Sequence, residues 1–205
     1  QARASFPASA PLLIESLDFS LVYRVTEDQG WEEAAQILIA SARRLEQAGA
    51  GALAICANSM HKVYDEVAAS VDIPIFHIAE CVGEKMKADR VTTAALFGTR
   101  NVMTESFYRK RLVAHGVDLL PPDMDYVEQL DRIIYDELML GKVTRDAERK
   151  LKTMITVKEQ AGARAIVLAC TELDMVVDVD ANVLPIYDSL RIHAEKAAEW
   201  ILGEG

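Results

Sequence analysis

The chain has 205 residues, 51% of them apolar and 26% charged, and a formal net charge of −10 from 22 basic and 32 acidic side chains. That length supports one large domain or two small ones sharing an interface. No apolar run approaches the roughly 18 residues of a membrane-spanning helix, and an acidic chain whose only basic run is Arg109-Lys110-Arg111 repels polyphosphate, so neither a membrane role nor nucleic-acid binding is expected.

Short β-rich runs alternate with longer amphipathic stretches, the sequence form of βα units around a parallel sheet. In chain order the strands are expected near residues 12–16, 53–56, 74–77, 93–97, 117–119, 165–169 and 184–187. The longer helices are expected over about 31–47, 61–69, 103–114, 126–140, 146–160 and 192–202, with a helix also carrying Cys81. The Glu/Lys/Arg-rich stretch 146–158 reads as the solvated face of a surface helix.

Self-similarity is the most informative feature. Glu46-Gln47-Ala48-Gly49-Ala50-Gly51-Ala52 returns as Glu159-Gln160-Ala161-Gly162-Ala163-Arg164-Ala165, six identities in seven positions at an offset of 113. In both copies a helix ends, a glycine caps it and a buried strand begins. A second echo, Ile73-Pro74-Ile75-Phe76-His77 against Leu184-Pro185-Ile186-Tyr187-Asp188, follows at offset 111. Two related βα units suggest two similar lobes facing each other. Open α/β sheets bind ligands beyond the carboxyl ends of their strands, so the residues after each repeated strand are the candidate site. Offset 113 sets Ala57 opposite Cys170, Asn58 opposite Thr171 and Ser59 opposite Glu172. Cys56 falls opposite Ala169 instead, one residue out of phase and so toward the other face; it is assigned to the core, with replacement of the missing base as the alternative.

At Asn58-Ser59-Met60-His61 and Cys170-Thr171-Glu172-Leu173 the chain resembles the aspartate/glutamate racemases, whose members carry Cys-Asn-Thr/Ser in one lobe and Cys-Thr-Glu in the other. The resemblance extends from about Leu12 to the C-terminus through Gly98-Thr99, Ile134-Tyr135-Asp136-Glu137-Leu138 and Arg191-Ile192-His193-Ala194. It implies an α/β fold of two similar lobes, each a parallel sheet flanked by helices, with the active site in the cleft between them. The first lobe is expected over residues 1–90 plus 188–205 and the second over 91–187; family members also place a strand and a Gly-rich loop before the region matching Leu12, and this sequence departs from them in lacking both.

What the resemblance implies for chemistry is two-base proton exchange at the α-carbon of an amino acid, without pyridoxal phosphate or any other cofactor. Cys170 is the one acid/base thiol, and Ala57 occupies the position of its partner, where the family has Cys or, in some members, Thr. Cys170 is expected at a strand end before a helix or turn, where backbone N–H groups favour the thiolate. Asn58, Ser59, Thr99 and Thr171 are expected to hold the substrate α-carboxylate, Glu172 either its ammonium group or its own helix start, and Lys142 and Arg24 a second carboxylate. Four histidines without i, i+4 pairing speak against a metal site. His61 is read as capping or orienting the site or simply packing at a helix start, His77 as a satisfied strand-end residue, and His115 as a helix-end cation. Three cysteines with no CxxC pair and no secretory signal point to free thiols in a reducing cytoplasm, and family resemblance implies a homodimer acting on a small amino acid. Two other readings stand beside the racemase: a one-thiol decarboxylase of the arylmalonate type, and a non-catalytic amino-acid-binding protein.

Overall fold

The structure is a computed structural model and describes residues 10–18, 20 and 30–203. Among the described residues six parallel strands form two sheets. The first pairs β1 (Leu53–Ala54) with β2 (Ile75–Phe76). The second runs β4 (Asp118–Leu119), β3 (Thr93–Gly98), β5 (Ile166–Ala169), β6 (Ile186–Asp188). Both faces of the larger sheet are covered, which is why its strands read as unbroken apolar runs. Ala95, Phe97, Ile166 and Leu168 pack on one face with the helices α6 (Met124–Arg132) and α7 (Arg145–Gln160). Ala94, Leu96, Val167 and Ala169 pack on the other. Cys170 continues the even-numbered alternation and joins the first of these cores.

The internal repeat is real at the level of single hydrogen bonds. After α1 (Trp31–Gln47) the amide of Ala48 donates to Arg44 O, Gly49 to Glu46 O and Ala50 to Leu45 O. After α7, Ala161 donates to Val157 O, Gly162 to Glu159 O and Ala163 to Lys158 O, each 113 residues on. Gly49 and Gly162 have φ of 94° and 99°, the left-handed conformation that ends a helix cheaply only when no Cβ is present. Leu53 N donates to Pro74 O as Ile166 N does to Pro185 O, and Leu53 pairs with Ile75 as Ile166 pairs with Ile186. Even the caps that follow correspond: His77 accepts from Ala79 N at the start of α3 (Ile78–Ala88), and Asp188 from Leu190 N at the start of α8 (Ser189–Leu202).

These two equivalent helices pack against each other, α3 entering the core of the larger sheet and α8 bridging both sheets. From α3, Ile78, Ala79, Val82 and Met86 enter the core on the larger sheet. From α8, His193 Nε2 lies 3.0 Å from Phe76 O of the small sheet, and Trp200 stacks edge-on against Phe76 and meets the space beside Gly51. The rest of the small sheet is covered by α1 and α2 (Tyr64–Ala68), with Leu38, Leu53, Val63, Val67 and Ile75 at its centre.

Several elements differ from their sequence expectations. Residues 12–16 form no strand: the segment is irregular, Leu12, Leu13 and Ile14 are exposed, and Glu15 is held by an ion pair with Arg44. A strand exists only where a neighbour completes its ladder, and no described strand lies alongside. The helix expected over 103–114 is two, α4 (Arg100–Thr104) and α5 (Ser106–Ala114), broken at Glu105, whose extended backbone accompanies an ion pair to Lys62. The helix expected over 126–140 passes from α6 into a π turn (Ile133–Glu137) and a 3₁₀ turn (Leu138–Leu140) that stops at Gly141, φ 70°. Residues 61–69 likewise begin as a 3₁₀ turn (Ser59–Val63) before α2.

Candidate active site

Cys170 is the residue after β5, whose last pair is Ala169 with Gly98. A Cβ on Gly98 would stand 2.7 Å from Ala169 O, so only glycine lets β3 and β5 close there, and the closure sets Thr99 beside Cys170. Thr99 is the N-cap position of α4, yet its hydroxyl makes no cap bond. Asp131 of α6 takes over, accepting from Arg100 N at 2.9 Å. Thr99 Oγ1 is thereby left buried and without a partner among the described residues. Asp131 was not legible in the sequence, because it acts from 31 residues away.

The Cys170 thiol donates to Glu172 Oε2 at 3.1 Å, and the Thr171 hydroxyl donates to the same oxygen at 2.7 Å. The expected thiolate-favouring environment is not what forms. Cys170 is 7% exposed, and burial, with the adjacent Glu172 carboxylate, pushes its thiol well above the ordinary range, although the Glu172 backbone N–H works in the opposite direction. The reason is local: Thr171 and Glu172 form a turn rather than a helix start, followed only by a 3₁₀ turn (Leu173–Met175). The helix dipole is absent, and the carboxylate two residues on folds back onto the sulfur. In its resting form Cys170 is a proton donor.

On the other side of the repeat, Ala57, Asn58 and Ser59 form the turn after β1. Asn58 is 5% exposed, and neither its Nδ2 nor its Oδ1 has a partner among the described residues. Leaving such groups unpaired costs about 1–3 kcal/mol each, a cost the fold carries where both repeated motifs sit. His61 lies under the turn: its Nδ1 is 3.0 Å from Ala57 O, and its Nε2 accepts from Ile78 N at 3.1 Å. His77 and His193 surround it, with ring centroids at 4.6 and 5.9 Å. Burial lowers His61 to about 4 and His77 to about 2, and lowers His193 as well.

The two halves of the site meet α8 at successive turns. Asp188, paired with Leu168, starts the helix beside β5. His193, about one turn later, reaches Phe76 O and the His61 ring. Other expected residues stand apart. Lys142 is exposed after the 3₁₀ turn, its backbone amide bound to Glu137 O, and Arg24 lies outside the described residues. Cys56 is exposed rather than part of the core, its Sγ 3.8 Å from Ala54 O. β1 ends at Ala54, so strand alternation no longer governs Cys56. Cys81 is buried in α3, which raises it to about 11. His115 pairs with Glu80 across the α3–α5 contact. Among the described residues no group of His, Cys, Asp and Glu could hold a metal ion, and no helix is long and apolar enough to cross a membrane.

Comparison with known proteins agrees with the fold. The broad-specificity amino-acid racemase RacX of Bacillus subtilis (strain 168) is 26% identical over 162 residues, 77% of this chain and 68% of that protein. The crystal structure of an aspartate racemase homologue from Pyrococcus horikoshii OT3 superposes with a TM-score of 0.80 at 33% identity, covering 93% of this chain and 83% of the other. A Yersinia pestis structure classed with the Asp/Glu racemases reaches a TM-score of 0.90 at 34% identity, covering 98% and 88%. With the family model for Asp/Glu/hydantoin racemases matched over residues 1–197, the chain belongs to that family.

Proposed function

We propose that the protein is a cofactor-independent amino-acid racemase of the two-base type in which one base is replaced by Ala57. The observation that supports this is the repeat itself. Hydrogen bonds that recur at offset 113 up to Leu53 and Ile166 support reading position 57, four residues further on, as the counterpart of Cys170. The lobes would divide by chain order at residues 90/91 and 187/188, with α3 and α8 shared between them.

In that reading a thiolate takes the substrate α-proton, the C–H electron pair stays on carbon as the carboxylate-stabilised carbanion, and a thiol on the opposite face returns a proton. Asn58 and Thr99, with unpaired donors, suit the α-carboxylate and the charge that grows on it. The Glu172 carboxylate suits the ammonium group as the substrate binds. Before Cys170 can act as a base its proton must leave sulfur, and Glu172 Oε2, already its acceptor, is where that proton goes. The S–H bond breaks, the pair stays on sulfur, and the carboxyl becomes neutral, so the buried pair keeps a single negative charge. Lys142 and Arg24 remain proposed anchors for a side-chain carboxylate.

Ala57 carries no proton, so this chain should not interconvert enantiomers of aspartate or glutamate. Cys170 alone exchanges the α-hydrogen of one enantiomer in heavy water with retention. Ala57→Cys is expected to restore racemisation by about 100- to 10,000-fold, the usual worth of a positioned acid or base, and Cys170→Ala in that background to abolish it. Racemisation by the unaltered chain that survives Cys170→Ala would refute the mechanism. The same single thiol keeps a decarboxylase reading open, which carbon dioxide release from an arylmalonate would reveal. A protein that only binds amino acids would show neither product nor deuterium uptake.

A further inference from the structure

We infer that His61 is a positioning residue which, as the neutral Nδ1–H tautomer, joins the turn after β1 to the start of α3 and so sets where residues 57 and 58 meet a ligand. The tautomer follows from one bond. Ile78 N can only donate, so the Nε2 it reaches at 3.1 Å is a lone pair, and Nδ1 carries the hydrogen that reaches Ala57 O at 3.0 Å.

The placement explains why such a link is needed. β1 and β2 are two residues each, and their ladder ends at Ala54 with Phe76. Beyond that rung the two chains diverge without a direct backbone bond between Ala57 and Ile78. The imidazole fills the gap, accepting from one strand's continuation and donating to the other, as a side-chain rung added to a two-rung sheet. It is 2% exposed, so bulk water is kept from replacing it. Its ring is held by His77 at 4.6 Å, His193 at 5.9 Å and Tyr64 at 6.2 Å with planes 10° apart. His193 reaches Phe76 O in turn, so the turn that presents Asn58 is tied to α8, which begins beside β5.

Protonated His61 would aim Nε2–H at Ile78 N–H, so only the neutral ring can serve both partners. The bonds themselves are tested on the unaltered chain. Nitrogen-15 NMR at pH 7 should report protonated Nδ1, bare Nε2 and a through-bond coupling from Nε2 to the Ile78 amide. An Nε2–H tautomer or an imidazolium overturns the inference.

Positioning is tested by a thiol reporter in Ala57→Cys. Iodoacetamide labelling of the new thiol should change severalfold on adding His61→Ala, return toward the parent rate with added imidazole, and follow the fraction of imidazole that is neutral as pH is varied. His61→Gln, which keeps one donor and one acceptor, should fall nearer the parent and serves if His61→Ala does not fold. Buried Cys81 reports general loosening in the same digest. An unchanged rate at position 57, a change shared equally by Cys81, or no rescue by imidazole each overturns the inference.

The catalytic consequence rests on the racemase reading. Racemisation by Ala57→Cys should drop roughly 100-fold with His61→Ala, the scale of a misplaced reacting group, with the larger effect on kcat. Absence of racemisation in the parent would count against that reading and leave the NMR and labelling results to decide the role of His61.

Discussion

Three buried imidazoles in one cluster make the stability of this protein depend on pH in a window where carboxylates are silent. In the unfolded chain each histidine has a pKa of about 6.5. In the fold, burial holds His61 near about 4 and His77 near about 2, and lowers His193 too. The unfolded state therefore binds more protons, and stability is full above about pH 6.5 and is lost as pH falls toward the folded values. Between pH 7 and 5 each unfolded imidazole takes up about 0.7 of a proton. At about 1.36 kcal/mol per pKa unit this costs roughly 2 kcal/mol per residue, about 4 kcal/mol for His61 and His77 together. Against a typical total of about 5–15 kcal/mol, that is a large fraction. Urea unfolding at pH 7, 6 and 5 with an unchanged m-value should show the loss directly. His77→Asn keeps an acceptor suited to the α3 cap and removes one titrating ring, so it should cut the loss by about half. A stability constant from pH 7 to 5, falling only below about pH 4.5, would refute the reasoning.

Gly98→Ala forces a Cβ to within 2.7 Å of a backbone oxygen on the neighbouring strand; it should cost about 1–3 kcal/mol in denaturant and weaken ligand binding more than a core truncation such as Leu151→Ala, which leaves the strand ends alone. Iodoacetamide at pH 7 should modify exposed Cys56 first, with Cys170 and Cys81 slow, as mass spectrometry of the digest would show. Glu172→Gln removes the charge that disfavours the Cys170 thiolate at equilibrium and should speed labelling at that residue alone; slower labelling would mean that the proton-accepting role of Glu172 Oε2 outweighs its charge.

Much of this fold could be read from the chain because its signals are local. α1 spans Trp31–Gln47, the range its apolar spacing predicts, and the paired Gly49 and Gly162 turns announce themselves through a composition that only a left-handed cap requires. The family motifs were legible for the same reason. What escaped was set by contacts distant in sequence. Amphipathic spacing tells that α3 buries a face, but not that the larger sheet receives it; for α8 the expected assignment of 188–205 to the first lobe came from the family resemblance. Cys56 was placed in the core on the premise that β1 continued, whereas a strand lasts only as long as its partner. The sign of the Cys170 shift depended on whether Thr171 and Glu172 begin a helix or make a turn that brings a carboxylate onto the sulfur. The unpaired hydroxyl of Thr99 depended on Asp131 doing its capping for it.

The interlocking of α3 and α8 has a mechanical consequence. Each sheet is roofed in part by the helix that issues from the other, so the two halves are laced together like clasped hands. A swing about a free linker is not open to such a body. Opening and closing around a substrate must instead proceed by sliding along the α3–α8 seam, where small steps of interlocked side chains carry both strand ends at once.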